Sequence, residues 1–351
     1  MRHGEVKKVK RFLVFVFIFI LGVFFVFSYI RKSLNEKKQV DFSLKIERNQ
    51  KIKKVLEKLK NLKVIENDKI LYFWIRFNHI PIRAGCYRLK GEYSPIEIIQ
   101  ELTKGTPCLT KFTIPEGANI FDVDRILSEK GFCKKGEVIK LSKDRNFLNS
   151  LKLKFLEGYV FPDTYYVKES ANCEEVLKIA VENFKKKVEP LFEGYNPPII
   201  VKKGLGKVNK EKILTVASIV EKETSIPEEK PIIAGIIYNR LIKGMRLQCD
   251  PTVYYSYRLV GIEKRKLHKG DTLFPSPYNT YYTKGLPPTP ICNPGLESIE
   301  AAMFPKKTSY LYFVAEDGRH LFSKSYNHHL KLIRKIYKYG EKRKEKTVRN
   351  R

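Results

Sequence analysis

Apolar positions are arranged in three different ways along the chain. Phe12 to Ile30 (FLVFVFIFILGVFFVFSYI) carries no charge at all. At about 1.5 Å per residue a helix of that run crosses roughly the hydrocarbon core of a bilayer. A secretory signal is the competing reading, but its apolar region is usually only about 7–15 residues long and ends in small residues. Here the run is Phe-rich and Arg31-Lys32 follows, so a retained transmembrane helix over 12–30 is expected, with residues 1–11 as a cytoplasmic tail. Residues 31–42 are polar and charged and read as a linker.

Beyond the linker the pattern changes to mixed helical and strand periods. Lys51 to Leu59 places Ile52, Val55, Leu56 and Leu59 on one side of a helix. Ile70 to Phe77 reads as a second helix, and Ala84 to Leu89 alternates as a strand. Ser94, with Glu97 three residues on, opens a capped helix that stops at Lys104-Gly105. Residues 43–107 thus form a small α/β module without evident chemistry, a binding or spacer unit.

Residues 108–339 read as a larger α+β domain. Strands are predicted at Leu109–Ile114, Tyr310–Val314 and His320–Ser323, the last two joined across Glu316-Asp317-Gly318. Helices are predicted over Asn119–Lys130, 173–190, Lys212–Thr224, Pro231–Ile242 and Asn327–Tyr337, with 245–285 rich in loops. The basic stretch 340–351 has no core-forming residues and reads as a disordered tail.

Composition changes this picture in two places. Lys and Arg total 68 against 38 Asp and Glu, a formal charge of +30. Such a surface attracts polyanions, whether nucleic acid, anionic lipid or acidic wall polymers; an anchored outer domain fits nucleic acid poorly. The abundance of both Lys and Glu also suits a heat-adapted protein with solvated charged faces. The cysteines, at 86, 108, 133, 173, 249 and 292, contain no C-x-x-C pair. Small buried hydrophobes are the favoured reading, with one or two disulfides open if the domain is exported. Basic residues flank the apolar run on both sides (Arg2, Lys7, Lys8, Lys10 and Arg11 before it; Arg31, Lys32, Lys37 and Lys38 after it), which leaves orientation nearly undecided.

No G-x-S-x-G, H-E-x-x-H or P-loop is present, and the histidines are not spaced as metal ligands. No metal or cofactor is expected. Carboxylates beside apolar residues remain. Glu221 and Glu223 end an apolar helix and lie about 200° apart around its axis, so they cannot share one site. One of them in a half-buried cleft would have the raised pKa a general acid needs. The plainer alternative is two solvated glutamates in surface ion pairs. Asp163, Asp250 and Glu116 lie beside Pro or Gly turns, where Asp commonly serves the turn itself; Asn279 invites the same reading.

The residues A-G-C-Y (84–87), E-G-Y-V-F-P-D-T-Y (157–165), I-V-E-K-E-T (219–224), N-R-L (239–241), M-R-L-Q-C-D-P-T-V (245–253), S-P-Y-N-T-Y (276–281), G-L-P-P (285–288) and Y-L-Y-F-V (310–314), in this order and spacing, resemble the YceG-like family of endolytic murein transglycosylases. The resemblance covers about residues 43–335. It implies one membrane span with the N-terminus inside, a LysM-like module over 43–107, and a catalytic domain over 108–339 outside the cytoplasmic membrane, near peptidoglycan synthases. It implies a lyase acting on peptidoglycan glycan strands, with Glu223 as the catalytic carboxyl; beside it, Glu221 is expected as a structural or an electrostatic neighbour, in the latter case helping to raise the Glu223 pKa. Gln248, Asp250 and Asn279 are expected to hold sugar or shape the cleft. The family often has Thr where this chain has Cys249. Two rival readings stay open: a hydrolase pairing Glu223 with Asp163 or Asp250, and a wall-binding scaffold without catalysis.

Overall fold

A computed structural model of the protein describes residues 2–336. The first helix, α1 (Arg2–Asn35), runs well past the apolar segment. Side chains from Phe12 to Phe27 lie almost entirely exposed, and Phe12–Asn35 is long and apolar enough to cross a membrane. Strand β1 (Lys38–Ile46) starts after a two-residue break. The expected linker over 31–42 is therefore the end of α1 and the first half of β1. The reason was visible in V-D-F-S-L-K-I: Val40, Phe42, Leu44 and Ile46 alternate inward, and the charged residues between them point out.

The chain divides into two compact units, residues 1–109 and 110–351. In the first, β1 is followed by α2 (Ile52–Asn61), α3 (Asp68–Phe77), β2 (Gly85–Tyr93) and α4 (Pro95–Leu102). β1 and β2 pair antiparallel with Phe42 opposite Leu89 and Leu44 opposite Tyr87. Those residues, Val55, Leu56 and Leu59 of α2, Leu71 and Ile75 of α3, and Ile98, Ile99 and Leu102 of α4 make one core, which also buries Leu34 at the end of α1. Ser94 and Glu97 form the expected reciprocal cap, at 3.3 and 2.7 Å. Cys86 and Cys108 are joined by a disulfide.

The second unit opens with β3 (Leu109–Ile114), α5 (Ile120–Glu129), α6 (Glu137–Leu141) and α7 (Arg145–Leu151). β4 (Asp163–Lys168) pairs with β3, and the long α8 (Cys173–Phe192) follows. Then come α9 (Ile199–Leu205), α10 (Lys210–Glu223), α11 (Lys230–Ile242), α12 (Asp250–Leu259) and α13 (Leu296–Met303). The hairpin β5 (Tyr312–Glu316) and β6 (Arg319–Ser323) precedes a helix over 326–336. A disulfide joins Cys133 to Cys173 at the start of α8. Four cysteines are thus bonded rather than simply buried; Cys249 and Cys292 are free and buried. α12 falls within 245–285, where the sequence predicts a loop-rich stretch without a named helix. Its Asp-Pro start supplies an acidic residue at N1 and a proline at N2, within the first turn, where both are compatible with helix initiation. The tail over 340–351 lies outside the described residues.

Candidate active site

α10 carries the site. Asn209 caps it by accepting from Lys212 N at 2.9 Å, and every side chain from Ile213 to Val220 is buried. Thr215, Val216, Ile219 and Val220 are β-branched and weaken intrinsic helicity, but burial between α11 and α13 overrides that preference. Thr224 is extended, so Glu223 is the last helical residue. The Thr224 hydroxyl donates to Glu229 Oε2 at 3.1 Å, and Glu229 accepts from the His320 backbone N at 2.9 Å with His320 Nδ1 at 2.7 Å. This chain of contacts fixes the end of α10 against β6.

Glu223 reaches inward from that end. Its Oε1 is completely buried and has no hydrogen-bond partner. The Cys249 thiol lies beside it, although the thiol's own bond goes to Leu247 O at 3.6 Å. Burial is the main cause of a Glu223 pKa pushed up to about 7; Cys249 and Arg240 oppose the shift and the Asp250 charge reinforces it. A buried carboxyl oxygen without a partner is costly when charged, so the protonated form is held near neutrality. Glu221 is not among the groups that shift it. The expected help from Glu221 is replaced by Asp250, because the helix turn sends Glu221 to another side.

There Glu221 accepts from Gly295 N at 3.1 Å and Ser298 Oγ at 2.6 Å, with Lys230 Nζ at 3.7 Å. Burial, the Glu221 charge and the Glu297 charge push Glu116, nearby, above the usual carboxylate range, and Lys230 opposes them. Glu221 and Glu223 therefore occupy separate environments, as their spacing on the helix required.

The cleft at Glu223 encloses about 470 Å³ and is lined by Asn119, Asp122, Lys222, Glu223, Asp250, Pro251, Tyr254, Tyr255, Arg258, Glu263, Lys264 and Ile291. Asp250 joins Glu223 there, at the start of α12, and its Oδ1 accepts from Tyr281 OH at 2.7 Å. Gln248 is exposed, has a left-handed φ of 52°, and does not line this cleft; its backbone N donates to Thr280 O at 3.2 Å. Asn279 is fully buried, and its side chain is used up by its own loop: Nδ2 donates to Thr272 O and Phe274 O at 3.0 and 2.8 Å, and Oδ1 accepts from Tyr281 N at 3.0 Å. Asn279 does not line this cleft, and both ends of its amide are committed to its own loop. Asp163 is held by Lys187, Asn183 and Thr164 N, away from the cleft lining. The structure does not bring it to Glu223.

Two residues escaped the sequence reading. Arg240 is buried and donates to the carbonyls of Leu311, Leu247 and Arg246 at 2.6, 2.7 and 3.2 Å, with its guanidinium 5.1 Å from the Tyr312 ring centre. It ties the approach to α12 to the β5 hairpin. Glu157, within E-G-Y-V-F, is 4% exposed and accepts from Ile120 N at 3.1 Å and Tyr255 OH at 2.8 Å. Burial pushes its pKa up to about 8, against the opposing Ile120 and Tyr255 bonds. It stands directly behind Tyr255 of the cleft wall. A Glu before a Gly turn gave no hint of a partner that is 98 residues away.

A half-enclosed cleft on an α+β scaffold, lined by Glu223 with its buried, partnerless oxygen and by Asp250, has the chemical groups that acid–base work requires. The comparisons with known proteins agree with the motif resemblance. Residues 44–335 match the YceG-like family, and the chain belongs to it. A Bacillus subtilis (strain 168) protein named endolytic murein transglycosylase is 34% identical over 293 residues, 78% of each chain. A protein of the same name from Streptococcus pneumoniae serotype 2 is 30% identical over 341 residues, covering 87% of this chain and 60% of its own length. A crystal structure of a yceG-like protein from Listeria monocytogenes is similar with a TM-score of 0.57 and 33% identity, over 83% of this chain and 98% of that one.

Proposed function

We propose that this protein is a membrane-anchored lytic transglycosylase that cuts peptidoglycan glycan strands internally, between N-acetylmuramic acid and N-acetylglucosamine. The observation that carries this reading is the Glu223 Oε1 atom, buried and unpaired at the inner end of the cleft. Protonated Glu223 donates its proton to the glycosidic oxygen as the C1–O bond breaks, and muramic C1 gains oxocarbenium character. The Glu223 carboxylate then takes the proton of that sugar's own 6-hydroxyl as its oxygen bonds to C1. The products are a 1,6-anhydro end and a free 4-hydroxyl, no water is consumed, and Glu223 is protonated again. One carboxyl can perform both transfers, whereas most glycosidases need two. Asp250 serves sugar binding in the cleft.

The apolar α1 serves as the anchor, with the N-terminus inside and both units outside; the two disulfides suit an oxidising compartment. The β-α-α-β order of the first unit supports a LysM-like role in holding glycan. Cleavage of nascent strands beside peptidoglycan synthases would terminate their elongation. Asp250 in the same cleft favours one second reading, a two-carboxylate hydrolase. Purified wall material incubated with the full-length protein and with Glu223→Gln, followed by mass spectrometry, separates the cases. Anhydro ends made only by the unmodified protein are expected. Hydrated reducing ends would replace the lyase by the hydrolase, and wall binding without cleavage would leave a scaffold.

A further inference from the structure

The cations of the cleft differ in what they are already bound to. Arg258 donates to Asp122 at 2.8 Å and pairs with Glu263 at 2.6 Å. Lys264 pairs with Asp271 at 2.6 Å. Among the described residues, Lys222 is the cleft-lining cation without a carboxylate partner: its Nζ donates to the Gly117 carbonyl at 3.3 Å. That contact uses one of the three ammonium donors and leaves two. Gly117 has a left-handed φ of 74°, and a Cβ there would touch Lys222 Cδ at 3.4 Å and Nζ at 3.6 Å. The lysine stem lies in ordinary contact distance of this turn, and the exposed residue presents its ammonium at the cleft wall. Glu157, the buried carboxyl whose pKa Lys222 lowers, is held protonated near neutrality and supplies no full counter-charge. Lys222 precedes Glu223, yet it is not among the groups that shift the Glu223 carboxyl. Its charge is thus available to a ligand without being committed to the acid.

We propose that Lys222 is a substrate-anion position: its ammonium takes a carboxylate of the peptide stem borne by the muramyl residue at the cleft. This rests on the glycan-strand reading above and names what that substrate must carry. A charge-assisted bond in a partly enclosed cleft is worth about 1.5 kcal/mol or more, about 10-fold in affinity.

The test uses the full-length protein with peptidoglycan strands whose stem carboxylates are free, and with the same strands after conversion of those carboxylates to amides. Steady-state cleavage is measured for the unmodified protein, Lys222→Met and Lys222→Arg. The unmodified protein should prefer free carboxylates by about 10-fold in kcat/KM, through KM. Lys222→Met should lose that preference and Lys222→Arg should keep it, and the pH midpoint of cleavage should be the same in all three. Equal use of both strands by the unmodified protein overturns the proposal. So does an equal loss on both strands in Lys222→Met, or a shifted pH midpoint, either of which would mark Lys222 as a structural or acid-tuning group. Failure to cleave either strand would instead sink the glycan-strand reading itself.

Discussion

Two glutamates on the last turn of one helix meet opposite fates. Glu221 is surrounded by donors: a backbone N–H, a hydroxyl and a nearby ammonium. Glu223 is as deeply placed but has an oxygen with no donor at all. The first environment replaces the water a carboxylate loses on burial, and the second does not. A helix rotation of about 200° is enough to separate a structural carboxylate from an acid that keeps its proton near neutrality. What distinguishes a reactive carboxyl here is the absence of solvating partners, and depth alone does not create it.

The largest effect that sharpens this contrast is removal of the acid. Glu223→Gln should fold normally and lose about 10³-fold in turnover, within the range of general acid–base contributions, as read by release of soluble fragments from purified wall. Loss of less than about 10-fold would place the proton elsewhere. Glu221→Ala should do the reverse. It removes the carboxylate 3.7 Å from Lys230, whose side chain is 3% exposed and whose other ion pair is with the solvent-facing Glu297 at 3.3 Å, and should destabilise the fold by about 3 kcal/mol in denaturant titration. Turnover per folded molecule should change little. A catalytic collapse in Glu221→Ala with stability intact would erase the distinction between the two residues.

Glu157 tests the same principle through stability. Its folded pKa of about 8 lies above the ordinary glutamate value, so the folded state keeps a proton the unfolded chain releases. The associated stability is complete below the unfolded pKa and is lost as pH rises through about 8. Above about pH 5 the loss is about 1.4 kcal/mol per pH unit for each such group, and Glu223 adds its own share up to its pKa of about 7. Glu157→Gln keeps an acceptor for Ile120 N, so melting temperatures measured between pH 5 and 8 should fall less steeply than in the unmodified protein. Parallel slopes would mean that Glu157 is charged in the fold.

The smallest expected effect comes from Asp250. Its charge raises the Glu223 pKa, so Asp250→Asn should lower it. Activity that needs protonated Glu223 fails as pH rises through its pKa, and the failing limb should therefore move to lower pH while turnover below it survives. If Asp250 instead activates water, the same variant should lose about 100-fold or more at every pH, measured as a full pH–rate profile.

Much of the frame was legible from the chain, for identifiable reasons. The helical faces of α2 and α5, the Ser94 cap and the β5–β6 hairpin are local, and they follow from spacing within about ten residues. The opposition of Glu221 and Glu223 followed from helix geometry alone. β1 was missed because charged alternate positions resembled a linker, and α12 because Tyr, Thr and Pro obscured its acidic start. The disulfides, the Arg240 carbonyl cluster and the Glu157–Tyr255 bond join segments distant in sequence. No single window of residues contains both partners, so only the folded chain reveals them. Asn279 was singled out for its chemistry, but the fold had already committed both ends of its amide to the loop.

Everything proposed for the cleft depends on Glu223 holding its proton because burial leaves one oxygen unsolvated. Its titration can be followed directly by ¹³C NMR of side-chain-labelled glutamate in the intact protein, with Glu223→Gln assigning the resonance. A midpoint near 7 is expected for Glu223, well separated from the exposed glutamates. A midpoint at the ordinary value of about 4.3 would contradict it, and would leave the cleft without its acid at neutral pH.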